Sequence, residues 1–99
     1  MHDPSYVYIL ASGRGGTLYV GATTNLVARV AQHKAKTVEG FTKKYNVDLL
    51  VYFEAFGDIE TAVNRERQMK KWNRAWKMRL IAEKKNPNWT DLYPEVAGQ

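Results

Sequence analysis

The sequence predicts an α+β domain: a small three-stranded, largely antiparallel sheet flanked by helices, in the order ββα then βαα. Three observations carry that prediction. Short β-branched and aromatic runs stand at residues 6–10, 18–20 and 47–56. Apolar residues recur at helical spacing over 26–34, 59–72 and from 73 or 74 to 85. Strands and helices follow one another without the regular alternation that builds a parallel sheet. The 99 residues make room for one domain, 1–99, with a core of about 5–93 and loose termini. With 44% hydrophobic and 12% aromatic residues, the chain can bury a real core without staples.

Each element has a local reason. Residues 6–10 (YVYIL) and 18–20 (LYV) flank a glycine-rich turn, SGRGG, and form a hairpin with a loop of about five residues. If Leu10 pairs near Thr17, Tyr8 stands opposite Tyr19 and both phenols share a face. Thr23, Thr24 and Asn25 offer caps to a helix at 26–34, whose wheel groups Leu26, Val27 and Val30. Residues 35–46 are basic and polar, with Gly40, and read as a surface loop or an irregular turn. Residues 47–56 (VDLLVYFEAF) are almost continuously apolar, which predicts a central strand covered on both faces. Asp58 caps the next helix, whose inward stripe is Ile59, Ala62, Val63, Glu66 and Met69. The last helix turns Trp76, Leu80 and Ala75 inward and stops before Pro87; residues 89–93 form a final docking segment.

Composition narrows the function. The absence of cysteine excludes disulfide scaffolds, zinc ribbons and thiol catalysis. No stretch approaches the ~20 apolar residues of a spanning helix, and the polar N-terminus lacks a signal-peptide core, so a soluble cytoplasmic protein with no membrane partner is expected. The net charge of +5 favours an anionic partner. Nine of the 15 Lys and Arg lie between Arg65 and Lys85, opposed only by Glu66 and Glu83, a local charge of +7. Lys70, Lys71, Arg74 and Lys77 in this stretch are candidates for nucleic-acid contact, with Trp72 and Trp76 interleaved but expected to face the core.

Three further features bear on chemistry. Tyr8 and Tyr19 either pack the sheet or aim two phenols at a phosphate or a water. Arg29 and His33, four apart, either form the basic edge of an amphipathic helix or grip phosphate and move a proton. Glu66 occupies a stripe where an apolar residue belongs. A carboxylate there must be paired, for which Arg65, Arg67 and Lys70 are available, or must hold a hard cation such as Mg²⁺.

In this combination the sequence resembles the GIY-YIG nuclease superfamily, in particular its small single-domain bacterial members. Tyr6-Val7-Tyr8 stands at the first triplet and Tyr19-Val20-Gly21 at the second; Asn25-Leu26, Arg29, His33 and Glu66 follow in order. The likeness spans about residues 5–93. It implies a DNA endonuclease in which Tyr19 activates the attacking water and Tyr8 contacts the phosphate or positions that water. Arg29 would stabilise phosphate charge, and His33 would assist proton transfer or contact the phosphate. Glu66 would hold one Mg²⁺ or Mn²⁺. The substrate would be DNA, with branched, damaged or single-stranded forms as plausible as duplex, and a protein partner could supply targeting. The alternative is a nucleic-acid-binding module of the same fold that does not cleave. A monomer is the expected state. Tyr6 replaces the family's first glycine, and Ala22 stands where some relatives carry lysine. The family's C-terminal asparagine corresponds to Asn86 or, second, Asn88.

Overall fold

The computed structural model describes residues 3–83 and 86–98. The elements are β1 (Ser5–Ala11), β2 (Leu18–Thr23), α1 (Leu26–Lys34), α2 (Phe41–Tyr45), β3 (Leu49–Phe56), α3 (Ile59–Lys71), α4 (Arg74–Glu83) and α5 (Tyr93–Ala97). The three strands form one antiparallel sheet in the order β2-β1-β3, flanked by helices. This is the expected α+β architecture.

The central strand is β1, where β3 had been expected. An apolar run reports cover on both faces, not a neighbour on both sides, and β3 has the cover without the second neighbour. The chain instead seals its outer edge with the C-terminal segment. Leu92 N–H donates to Leu50 O (2.7 Å), Asp91 Oδ1 accepts from Leu50 N–H (3.1 Å), and Asn86 Nδ2 donates to Val51 O (2.9 Å). Pairing between β1 and β3 shifts by one residue between Ile9 and Leu10, a bulge at Val51.

The hairpin register also differs from expectation by two residues: Tyr8 faces Gly21, and Leu10 faces Tyr19. A shift of two preserves side-chain parity, so Tyr8 and Tyr19 still share a face. Alternation along β1 splits the interior in two. Val7, Ile9 and Ala11 pack with Val20, Ala62, Met69 and Ile81 beneath α3 and α4. Tyr8 and Leu10 pack with Leu26, Val30, Val47 and Leu50 beneath α1.

Helix starts follow the expected chemistry: Asn25 Oδ1 accepts from Ala28 N–H (3.1 Å), and Asp58 Oδ1 from Thr61 N–H (2.7 Å). The details of helix faces differ. Val27 and Ile59, placed inward by the wheel, are exposed, although Leu26 beside Val27 is buried in the core. In α4 the buried residue is Ile81, while Ala75 and Trp76 are exposed. The chain breaks at Trp72 (φ −69°, ψ 148°), and of the two tryptophans expected to face the core only Trp72 packs on it. The expected end of this helix at residue 85 lies outside the described residues.

Two short helices stand where none was expected. The predicted loop at 35–46 contains α2, closed by Asn46 in the left-handed region (φ 58°) with Val47 N–H bonded to Thr42 O. The predicted loose tail forms α5, whose Tyr93 ring lies 5.3 Å from Lys34 Nζ. Five residues are too few to show a helical period, so neither helix announces itself. Among the described residues no helix is long and apolar enough to cross a membrane.

Candidate active site

The site begins with a glycine. Gly21 lies directly opposite Tyr8, and a Cβ at Gly21 would come within 2.5 Å of the Tyr8 Cζ and hydroxyl. Only a residue without a side chain lets the Tyr8 ring lie across the backbone of β2. The ring thereby reaches α1, where the Tyr8 hydroxyl and His33 Nε2 are 3.2 Å apart. On its other side His33 Nδ1 meets Thr42 Oγ1 of α2 at 2.9 Å. All three residues are buried.

Burial pushes the Tyr8 hydroxyl up to about 12; Tyr19 and Glu66 push in the same direction, and Arg29 opposes them. Tyr19, Arg29 and Glu66 therefore all lie within electrostatic reach of that one oxygen. His33 is held below its ordinary value, first by burial and then by the positive charge of Arg29. At neutral pH the pair is thus a protonated phenol against a neutral imidazole. Both hydroxyls can donate or accept, so the network accommodates either imidazole tautomer.

Tyr19 is half-buried, with its ring centroid 6.4 Å from Tyr8 and 5.6 Å from His33. Arg29, also half-buried, lies on the same face of α1 as His33 and donates to Gln32 Oε1 at 3.2 Å. Glu66 approaches from α3 on the opposite side of the sheet, its side chain 18% exposed and 3.2 Å from Lys70 Nζ. Of the three cations that could satisfy it, Lys70 makes the pair. Arg65 forks onto Glu54 instead, at 3.0 Å for each arm, and lies over the Trp72 ring.

The other candidates are placed as follows. Tyr6 packs edge-on against Phe53 of β3 (6.2 Å) and lines a separate cavity of about 450 Å³ with Leu26 and Val96. Asn86 is two strands away from Tyr19: its amide donates to Val51 O and Thr90 O and accepts from Thr90 N–H, each at 2.9 Å. Asn88 is exposed. Arg74 donates to the turn carbonyls of Gly15 (2.6 Å) and Gly16 (2.5 Å), tying α4 to the hairpin. Lys71 is exposed and Lys77 half-buried.

Sequence reasoning missed Thr42, whose link to His33 spans nine residues and leaves no pattern. It also missed Phe41 and Tyr45, which flank Thr42 on α2. Their spacing of four is that of one helix face, a signal available within a stretch that otherwise looked like loop.

A single carboxylate beside phenols and cations is a donor set for one hard divalent ion. Mg²⁺ keeps several waters and takes one or two carboxylates together with phosphate oxygens. No group of three or more His, Cys, Asp or Glu positioned for a metal occurs among the described residues.

Residues 4–79 match the GIY-YIG catalytic domain. A UPF0213 protein of Staphylococcus haemolyticus is 38% identical over 79 residues, covering 80% of this chain and 95% of its own. One of Natronomonas pharaonis is 40% identical over 78 residues, covering 79% and 91%. The solution NMR structure of a UPF0213 protein from Bacillus halodurans superposes with a TM-score of 0.54 at 27% identity, over 92% of this chain and 95% of that one.

Proposed function

The chain belongs to the GIY-YIG family of nucleases, and from that premise we propose that it is a metal-dependent endonuclease hydrolysing DNA phosphodiester bonds. The observation that carries the reading is the hydroxyl of Tyr8, bonded to a buried neutral His33 and within electrostatic reach of Tyr19, Arg29 and Glu66.

The two phenols divide the work. Tyr8 holds its proton firmly, so it serves as a hydrogen-bond donor to a phosphoryl oxygen or to the attacking water. In that arrangement His33 Nε2–H donates to the Tyr8 oxygen, and the Thr42 hydroxyl donates to Nδ1 and fixes the ring. Tyr19 is the phenol that reaches solvent and takes the proton of the water. A phenol accepts a proton only as its phenolate, so Tyr19 first gives up its own hydrogen to solvent. Arg29 stabilises charge on the scissile phosphate with its planar fork.

Glu66 would hold the Mg²⁺ or Mn²⁺, in competition with Lys70. When bound, such a cation polarises the phosphate and neutralises developing charge. Lys70, Lys71, Arg74 and Lys77 add an electrostatic attraction for the DNA backbone, which makes binding salt-sensitive. We place the activity in the cytoplasm, with a protein partner as one route to targeting.

Glu66→Ala tests the reading. The variant should lose cleavage of plasmid and branched DNA in Mg²⁺ while binding DNA nearly as well as the parent in chelator. Unchanged cleavage would sink the site assignment. Salt-sensitive binding by the parent without cleavage of any substrate would favour the binding module instead.

A further inference from the structure

We propose that Phe41 and Tyr45 of α2 form a base-stacking platform beside the tyrosine site, and that unpaired bases of a DNA single strand are its occupants. The proposal rests on the nuclease reading and adds to it the form of substrate that the site accepts best.

Both rings are exposed, Phe41 by 46% and Tyr45 by 48%, although each is a large apolar side chain on a helix of only five residues. They touch each other at 4.9 Å between centroids. The inner of the two also continues into the site: Phe41 lies 6.5 Å from Tyr19, their planes 26° apart, and Tyr19 leads on to His33. The aromatic series therefore runs without a break from the proposed reacting phosphate to the protein surface. The fold holds it in place, since Thr42, between the two rings in sequence, is buried against His33.

The surrounding charge suits a nucleic-acid strand. Lys44 Nζ lies 5.3 Å from the Tyr45 ring centroid. Lys43 is paired with Glu39 and Lys36 with Asp48, so Lys44 is the cation at the platform for which no carboxylate partner appears among the described residues. Aromatic faces with a neighbouring cation bind single strands in a sequence-tolerant way, because every base offers a π-face. In a duplex those faces are covered by adjacent base pairs. Stacking here consequently requires a single strand, a frayed end or a flap next to the scissile phosphate.

The test measures binding in chelator, so that no cleavage intervenes. A labelled oligothymidine, its abasic analogue of equal length and a blunt duplex are titrated against the parent and the Phe41→Ala, Tyr45→Ala and Phe41→Trp variants. Phe41→Ala should weaken oligothymidine binding about tenfold, the size expected for one lost base–aromatic stack. It should leave duplex and abasic binding within about twofold, and Phe41→Trp should restore the parent affinity. Tyr45→Ala, more remote from the site, guards against a folding effect of the Phe41 change and should act in the same direction. Equal losses on the abasic and the normal strand, or no loss on either, would overturn the platform. A Phe41-dependent dimer in sedimentation with unchanged DNA binding would also overturn it, because the occupant would then be a second copy. The base-dependent loss in a protein that cuts nothing would keep the platform and remove the endonuclease. Cleavage abolished by Glu66→Ala but indifferent to base stacking would do the reverse.

Discussion

The two edges of the sheet both gather buried or half-buried polar side chains, yet they use them in opposite ways. Along the outer edge of β3, Asn86 and Asp91 spend their capacity largely on main-chain groups: Val51 O, Thr90 O and Thr90 N–H for one, Leu50 N–H and Tyr93 N–H for the other, with Lys34 completing the carboxylate. These are amides and carboxylates in fixed donor and acceptor roles. On the β2 side, Tyr8, His33 and Thr42 bond to one another, and each is a group whose hydrogen can change sides. The first arrangement closes an edge that would otherwise present unpaired backbone to another chain. The second leaves a hydroxyl and an imidazole able to exchange roles with a ligand. The polar residues of the outer edge bond backbone and hold the fold, and in the proposed mechanism it is the set bonded to one another, Tyr8, His33 and Thr42, that meets the substrate.

The sharpest way to break that contrast is at Tyr19. Tyr19→Phe should lower cleavage by about 10²–10⁴-fold, the usual range for a positioned base, while leaving the urea-unfolding midpoint close to the parent's. A variant that still cuts at the parental rate would shift the role of base to Tyr8. Next in size is the opposite edge: Asn86→Ala strands the buried Val51 O and frees the part-buried Thr90 O and N–H, and should cost about 1–3 kcal/mol in urea denaturation. Its cleavage per folded molecule should be near the parent's, and a deep loss there would instead make Asn86 part of the site.

Gly21→Ala comes third. The new methyl would collide with the Tyr8 ring, and overpacking of this kind costs about 1–3 kcal/mol, readable as a lowered thermal midpoint with reduced cleavage. The smallest effect is acid sensitivity. His33 is held below the ordinary histidine value of 6.5, so the unfolded chain binds the proton more tightly. Its contribution to stability is present above pH 6.5 and is lost as pH falls from there toward the folded value. His33→Gln should flatten that part of the stability curve measured by urea unfolding between pH 7.5 and 5.5, and an unaltered slope would place the sensitivity in other groups.

How much was legible follows from what each feature requires. The strands, the caps at Asn25 and Asp58 and the shared face of Tyr8 and Tyr19 depend on neighbours a few residues apart, so pattern and propensity were sufficient. The order of family-like residues, Tyr8, Tyr19, Arg29, His33 and Glu66, was likewise visible in the chain itself. The inward Glu66 drew notice because a carboxylate interrupts an apolar stripe, and its side chain is indeed mostly covered. Trp76 shows the limit: expected in the core, it stands at the surface, and Ile81 is the residue of α4 that is buried.

By itself, then, the sequence determined the class of fold, the starts of the three longer helices and the parity of the two phenols, all of which are set by local periodicity and short-range hydrogen bonding. Tertiary structure alone decided that β1 is central, that the tail closes β3, and that α2 brings Thr42 under His33 with Phe41 and Tyr45 beside it. Those outcomes depend on contacts between residues far apart in the chain, where no spacing rule operates and only mutual burial selects the partner.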